Sequence, residues 1–162
     1  MRILTVRRRW AEAIIFAGKD VENRVRNIAG GYRGPVAIHC ATHIDTLAEW
    51  EEFREDHPEA HRKLHQITRE GRPSSIGKII GVVDLVDVHD GRSESLHSSG
   101  GELIATQPCS VWAQADVHHL VLANPRPLAE PIPYKGALGL RDLAVRDPET
   151  LLAISRQIGP TS

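Results

Sequence analysis

With 162 residues, 41% hydrophobic and 25% charged, the chain has the size and composition of one globular domain, which excludes a disordered chain and leaves room for one core with a peripheral insertion. No apolar run is long enough for a bilayer span, and arginines interrupt the N-terminus where a signal peptide needs an unbroken apolar stretch, so a cytoplasmic protein without a membrane partner is expected. A net charge of -1 argues against a non-specific nucleic-acid binder, yet the charge is uneven: Met1 to Gly34 holds eight basic and three acidic residues, and His43 to Gly71 eight acidic and four basic.

In chain order, "MRILTV" reads as a first strand. "WAEAIIFAG" follows as a helix that Gly18 stops. "VENRV" alternates as a strand, with Val21, Asn23 and Val25 expected on the packed face and Glu22 and Arg24 on the polar one. A glycine-rich loop leads into the strand "PVAIHCA". Thr46 and Glu49 form a capping-box pair ahead of "LAEWEEFREDH", and Pro58 opens a second helix reaching about Arg69, so a helical insertion is expected over about 44–70. "GKIIGVVDLVDVH" is the strongest strand signal, and 89–108, rich in Ser and Gly, reads as a long loop. "HHLVLANPRPL" is a strand expected to end in a proline-punctuated turn, and "YKGALGL" a last strand or tight turn. Asp147 as cap and Pro148 in the first turn begin a C-terminal helix that Gly159 ends, so 1–146 form the domain and 147–162 pack on it. The sum is an α+β fold: a small, mostly antiparallel sheet curled into a barrel, with inserted and flanking helices.

The strand and helix around Trp10, "GKDVENR", "YRGPVAIHCA", "GKIIGVVDLVDV", "VWA" and "VLANPRPLAEPIPYKGALGL" together resemble the ASCH domain family of the PUA-like superfamily, from about residue 3 to 143. That resemblance implies a barrel with a cleft for a nucleobase or short single-stranded RNA. Some relatives hydrolyse the acetyl amide of N4-acetylcytidine, and ribonuclease activity has been proposed for others. In the amidohydrolase branch a Lys, a Thr three residues later and an Arg two after that line the cleft. Lys19 and Arg24 fill the outer places here, and Glu22 replaces the Thr. Arg26 and His119 stand where the family often has Trp and an aromatic residue.

The residues themselves permit this chemistry. Lys19 and Arg24 can hold a phosphate or base carbonyl, Glu22 can accept from an exocyclic amine, and a desolvated Lys19 can act as general base. Pattern alone favours a surface charge cluster for the three, and only the resemblance reverses that order. Trp10 and Trp112 are candidate stacking platforms, with Trp10 as readily core; Trp50 reads as the packing anchor of the insertion. Arg7, Arg8, Arg9 and Arg33 would steer phosphates, and Asn23, His39 and Asp84 complete the binding set, with His39 and Asp84 open to a reading as satisfied buried polar groups, the one favoured for His39.

His57, His61 and His65 share one helical face, read as solvated, and Cys40 and Cys109 as reduced packing thiols. No metal site and no cofactor are expected, and no oligomeric state follows. The leading expectation is an RNA- or modified-nucleoside-binding domain. A small hydrolase with Lys19, Glu22 and Arg24 as catalytic set, or an adaptor docking through the acidic insertion, are the alternatives.

Overall fold

In the computed structural model, which describes residues 1–91, 97–99, 102–104 and 108–159, alternation and capping place the early elements where the sequence predicts them. Strand β1 (Arg2–Val6) leads into helix α1 (Arg8–Phe16), whose Ala11, Ala13, Ile14 and Ile15 are buried; Gly18 at φ 78° takes the chain out of it. Strands β2 (Val21–Arg24) and β3 (Gly34–Cys40) follow. Helix α2 (Leu47–Asp56) opens on the expected capping box: Thr46 Oγ1 accepts from the Glu49 N–H at 3.3 Å, and Glu49 Oε2 from the Thr46 N–H at 2.8 Å. That Thr46 bond, with Arg9, lowers the Glu49 carboxyl to about 2. Helix α3 (Pro58–Arg69) starts on the proline.

Strand β4 (Lys78–Asp90) is long, as its Ile and Val content predicts. A separate ribbon pairs β5 (His97–Ser99) with β6 (Glu102–Ile104). The expected 89–108 loop thus begins on β4 and includes this ribbon; its other members, 92–96, 100–101 and 105–107, lie outside the described residues. Strand β7 (His118–Pro133) corrects the expected proline turn by continuing through four prolines. Among the described residues its second edge has no partner strand beyond Val121, and register shifts interrupt its pairing with β4, the kinds of position where a strand tolerates proline. Strand β8 (Leu140–Asp142) and helices α4 (Leu143–Arg146) and α5 (Pro148–Ile158) complete the chain; Asp147 Oδ1 caps α5 by accepting from the Thr150 N–H at 2.9 Å.

The six-stranded sheet runs β2-β7-β4-β3-β1-β8, antiparallel except where β1 meets β3. α1 packs on a cluster of Leu4, Val36, Ile38, Ile80, Val83 and Leu120; Leu143 and Ile154 pack with Ala37, Ile79 and Val82. Phe53, Ala60 and Leu64 of the inserted helices cover Ala13 of α1. The sheet curls: although β7, β4 and β3 intervene between β2 and β1, Arg24 donates to the Thr5 carbonyl at 3.1 Å, bridging the open seam of the half-barrel. Val25, expected to pack, lies past the end of β2 and is 80% exposed. Among the described residues no helix is long and apolar enough to cross a membrane.

Gly81 on β4 is one of the tightest places in this architecture. A Cβ there would stand 2.7 Å from Ile15 Cδ1 and 2.9 Å from the Arg126 carbonyl oxygen, and backbone cannot step aside. Gly81→Ala is therefore expected to destabilise by about 1–3 kcal/mol as an overpacked core site, measured by urea denaturation. A neutral result would contradict this packing of α1 on the sheet.

Candidate functional site

The stretch "GKDVENR" turns out of α1 and immediately enters β2, so its side chains split between an edge strand and the turn before it. Lys19 is only 4% exposed. Its Nζ donates to the Val21 carbonyl, sits 3.7 Å from Glu22 Oε2, and lies over two indoles, 5.4 Å from the centre of Trp10 and 5.6 Å from that of Trp112. Burial lowers its basicity, against the opposing pull of the Glu22 carboxylate. Arg24 reaches Glu22 from the other side at 2.9 Å, so two cations flank one buried carboxylate.

The same stretch also builds the opposite wall. Asn23 Nδ2 donates to the Trp112 carbonyl at 2.8 Å, and its Oδ1 accepts from the Gln114 N–H at 3.1 Å. Ser110 donates to Asp20 and accepts from the Trp112 N–H at 3.1 Å. Two side chains of the turn and strand thereby hold the loop that carries Trp112. Between the walls is a cavity of about 390 Å³, lined by Trp10, Lys19, Glu22, Asn23, Asp56, His57 and 111–114, within the roughly 300–1,000 Å³ usual for small-ligand sites.

His57 was not expected here. It lies at the α2–α3 junction, half-buried, stacked on Trp112 with centroids 4.0 Å apart and edge-on to Trp10 at 5.8 Å. The solvated histidine face is corrected accordingly: His61 meets Trp50 edge-on at 6.4 Å, and of the three only His65 is exposed. Burial lowers the pKa of His57, so its ring stacks as a neutral imidazole at neutral pH. The helical insertion therefore supplies a cavity wall. A proline directly after an aromatic-rich helix was the available signal, since it forces the junction residue out of the helix and leaves its ring free to turn.

Other candidates lie elsewhere. Arg24 lines a neighbouring cavity of about 430 Å³ with His39, Thr5 and Tyr134, so it touches the first cavity only through Glu22. His39, 1% exposed, donates from Nε2 to the Tyr134 carbonyl at 3.0 Å and accepts at Nδ1 from Thr5 at 3.2 Å, a satisfied core histidine at that cavity's floor. Arg7 pairs with Glu49 at 2.5 Å, Arg8 with Glu12 at 2.9 Å, and Arg9 with Asp45 at 2.5 Å; they tie α1 to its own face and to the approach of α2. Arg33 pairs with Asp87 at 3.3 Å. Asp84 is held bidentately by Arg126, at 2.6 and 3.2 Å, which keeps its carboxyl below the usual range. None of these seven lines the cavity between the indoles.

No family model matches the chain. Among solved structures, it superposes on a tyrosine-to-phenylalanine mutant of ZmASCH from Zymomonas mobilis with a TM-score of 0.50 and 14% identity, over 94% of this chain and 96% of that one. ASCH from Zymomonas mobilis itself gives a TM-score of 0.47 at 14% identity, over 94% of each chain. The chain thus shares the α+β fold of that ASCH protein along nearly its whole length.

Proposed function

We propose that the cavity between Trp10 and Trp112 binds a modified nucleoside or a single unstacked base. The observation that carries this is Lys19, buried between two indoles beside Glu22. A flat heteroaromatic ring would find an aromatic wall there, with a cation, a carboxylate and the Asn23 amide at its polar edges. Because Arg7, Arg8, Arg9 and Arg33 are engaged in ion pairs, a nucleoside fits better than a long polynucleotide, whose affinity rests on phosphate contacts. The fold shared with an ASCH protein is consistent with such a ligand.

The lowered basicity of Lys19 favours a second reading, hydrolysis of an acyl amide on the base. Water adds to the carbonyl carbon as its proton passes to the Lys19 amine. That proton then goes to the leaving nitrogen, the C–N bond breaks, and the acid and the free exocyclic amine depart. Glu22, paired with Arg24 on its other side, holds the lysine in place.

Thermal-shift measurements with cytidine, N4-acetylcytidine and other modified nucleosides test the binding reading, with product analysis of any ligand found. A modified nucleoside is expected to raise the melting temperature, and Trp112→Ala to weaken it about 5- to 150-fold, the equivalent of 1–3 kcal/mol of stacking. If no nucleoside shifts the transition while a salt-sensitive RNA complex forms, the ligand is a polynucleotide and the nucleoside reading fails.

A further inference from the structure

Beside the loop that carries Trp112, three metal-ligating side chains from separate segments converge: His89 near the end of β4, Cys109 ahead of the loop, and His119 on β7. His89 and His119 are cross-strand partners. His119 Nδ1 lies 3.3 Å from His89 Nε2 and 3.4 Å from Cys109 Sγ, and the three ligand atoms lie within 4.8 Å of one another. A tetrahedral ion bound at about 2.1 Å to nitrogen and about 2.3 Å to sulfur holds its ligand atoms roughly 3.4–3.6 Å apart. The two separations at His119 are close to that, and the third, from His89 to Cys109, is within 4.8 Å.

The far side of each ring sets which nitrogen faces inward. His119 Nε2 is 2.7 Å from the Gln114 carbonyl, which only accepts, so Nε2 carries the hydrogen and Nδ1 the lone pair. His89 Nδ1 is 3.1 Å from Asp87 Oδ2, a carboxylate, so Nδ1 carries a hydrogen and the neutral ring has its lone pair on Nε2. Both imidazoles are therefore oriented by an outer acceptor with their lone pairs turned toward each other and toward a thiol, the arrangement that supports metal-bound histidines. The backbone is fitted to this: at Gly91 a Cβ would fall 2.6 Å from His119 Cε1, so only glycine leaves the ring its position.

We propose that His89, Cys109 and His119 bind a divalent transition-metal ion of the zinc class. One thiolate with two imidazoles is a donor set such an ion takes, and three protein ligands leave a fourth position for water. Binding releases the Cys109 thiol proton to solvent as the metal–sulfur bond forms. The ion would join β4, β7 and the segment entering the Trp112 loop, so it would stiffen one wall of the cavity whatever that cavity binds. This reverses the expectation that Cys109 is only a packing thiol.

The test uses the full chain, freed of metal with a chelator and titrated with Co²⁺. One equivalent is expected to bind with tetrahedral d–d bands and a thiolate-to-cobalt charge-transfer absorption, displaced by Zn²⁺, which also raises the melting temperature. Cys109→Ser is expected to abolish the charge-transfer band. Asp87→Asn, which leaves all three ligands in place, is expected to weaken affinity about 10- to 100-fold. His89→Ala, a half-exposed change on the strand, should remove tight binding if Cys109→Ser fails to fold. Absence of a charge-transfer band in the parent protein at excess Co²⁺ overturns the proposal. So does a band that persists in Cys109→Ser, which would point to Cys40, the chain's other cysteine, whose thiol burial pushes up to about 11.

Discussion

Arg9→Met is expected to cost about 3–5 kcal/mol, the loss typical of removing one partner from a buried ion pair. The Arg9 and Asp45 side chains are 8% and 0% exposed, joined at 2.5 Å. Asp45 Oδ2 also accepts the Arg9 backbone N–H at 3.1 Å, and the guanidinium continues to Glu49 at 3.1 Å. Without the guanidinium, the Asp45 carboxylate keeps one backbone donor, and most of its desolvation goes uncompensated. For a domain of this size the loss corresponds to a fall in melting temperature of roughly 10 °C. Replacing both partners, Arg9→Met with Asp45→Leu, is expected to recover much of it, because an apolar pair leaves no unmatched charge. Calorimetry on the two variants distinguishes the outcomes. If Arg9→Met alone costs under about 1 kcal/mol, the pair is solvent-screened, and the arginine run is available for the phosphate steering its composition suggested.

That run shows what a one-dimensional reading misses. Three consecutive arginines look like an anion-binding patch, but at the start of a helix they point in different directions, and here each meets a carboxylate, two of them from beyond β3. Patterns confined to neighbouring residues translated well into structure: the Thr46–Glu49 box, the Asp147–Pro148 start, the Gly18 exit from α1 and the apolar run of β4 all rest on spacings of a few residues. Glu22 and Arg24 share a side of β2 because they are two apart, and Lys19 reaches Glu22 from the turn. Burial of the set was not legible, because it depends on an indole from position 112 and a histidine from position 57, brought in by a loop and by the inserted helices. The His89, Cys109 and His119 cluster is invisible for the same reason. Its spacing matches no short motif, and only the register of β4 against β7 makes neighbours of the two histidines.

Lys19→Met separates the chemical role of the cavity from its architecture. If Lys19 takes a proton from water during amide hydrolysis, the methionine variant is expected to lose about 10²- to 10⁴-fold in turnover, the usual contribution of a positioned general base. The fold should survive, since the thioether occupies the lysine's place between the two indoles and Arg24 still pairs with Glu22. The pH dependence of stability supplies an independent readout. Burial lowers the folded-state pKa of Lys19 below its unfolded value, so between the two the unfolded chain holds more protons and stability rises with pH. In the parent this rise is present on the alkaline side, approaching the ordinary lysine range; below the folded-state pKa both states are protonated and the group adds no slope. Lys19→Met should abolish that rise, and chemical denaturation at a series of pH values measures it. Should the alkaline rise persist unchanged in the variant, Lys19 is not the desolvated amine its burial implies, and its candidacy as general base falls with it. A lost rise with unimpaired binding and no turnover in the parent would instead leave a binding cavity in which the lysine ammonium serves as a cation between aromatic rings.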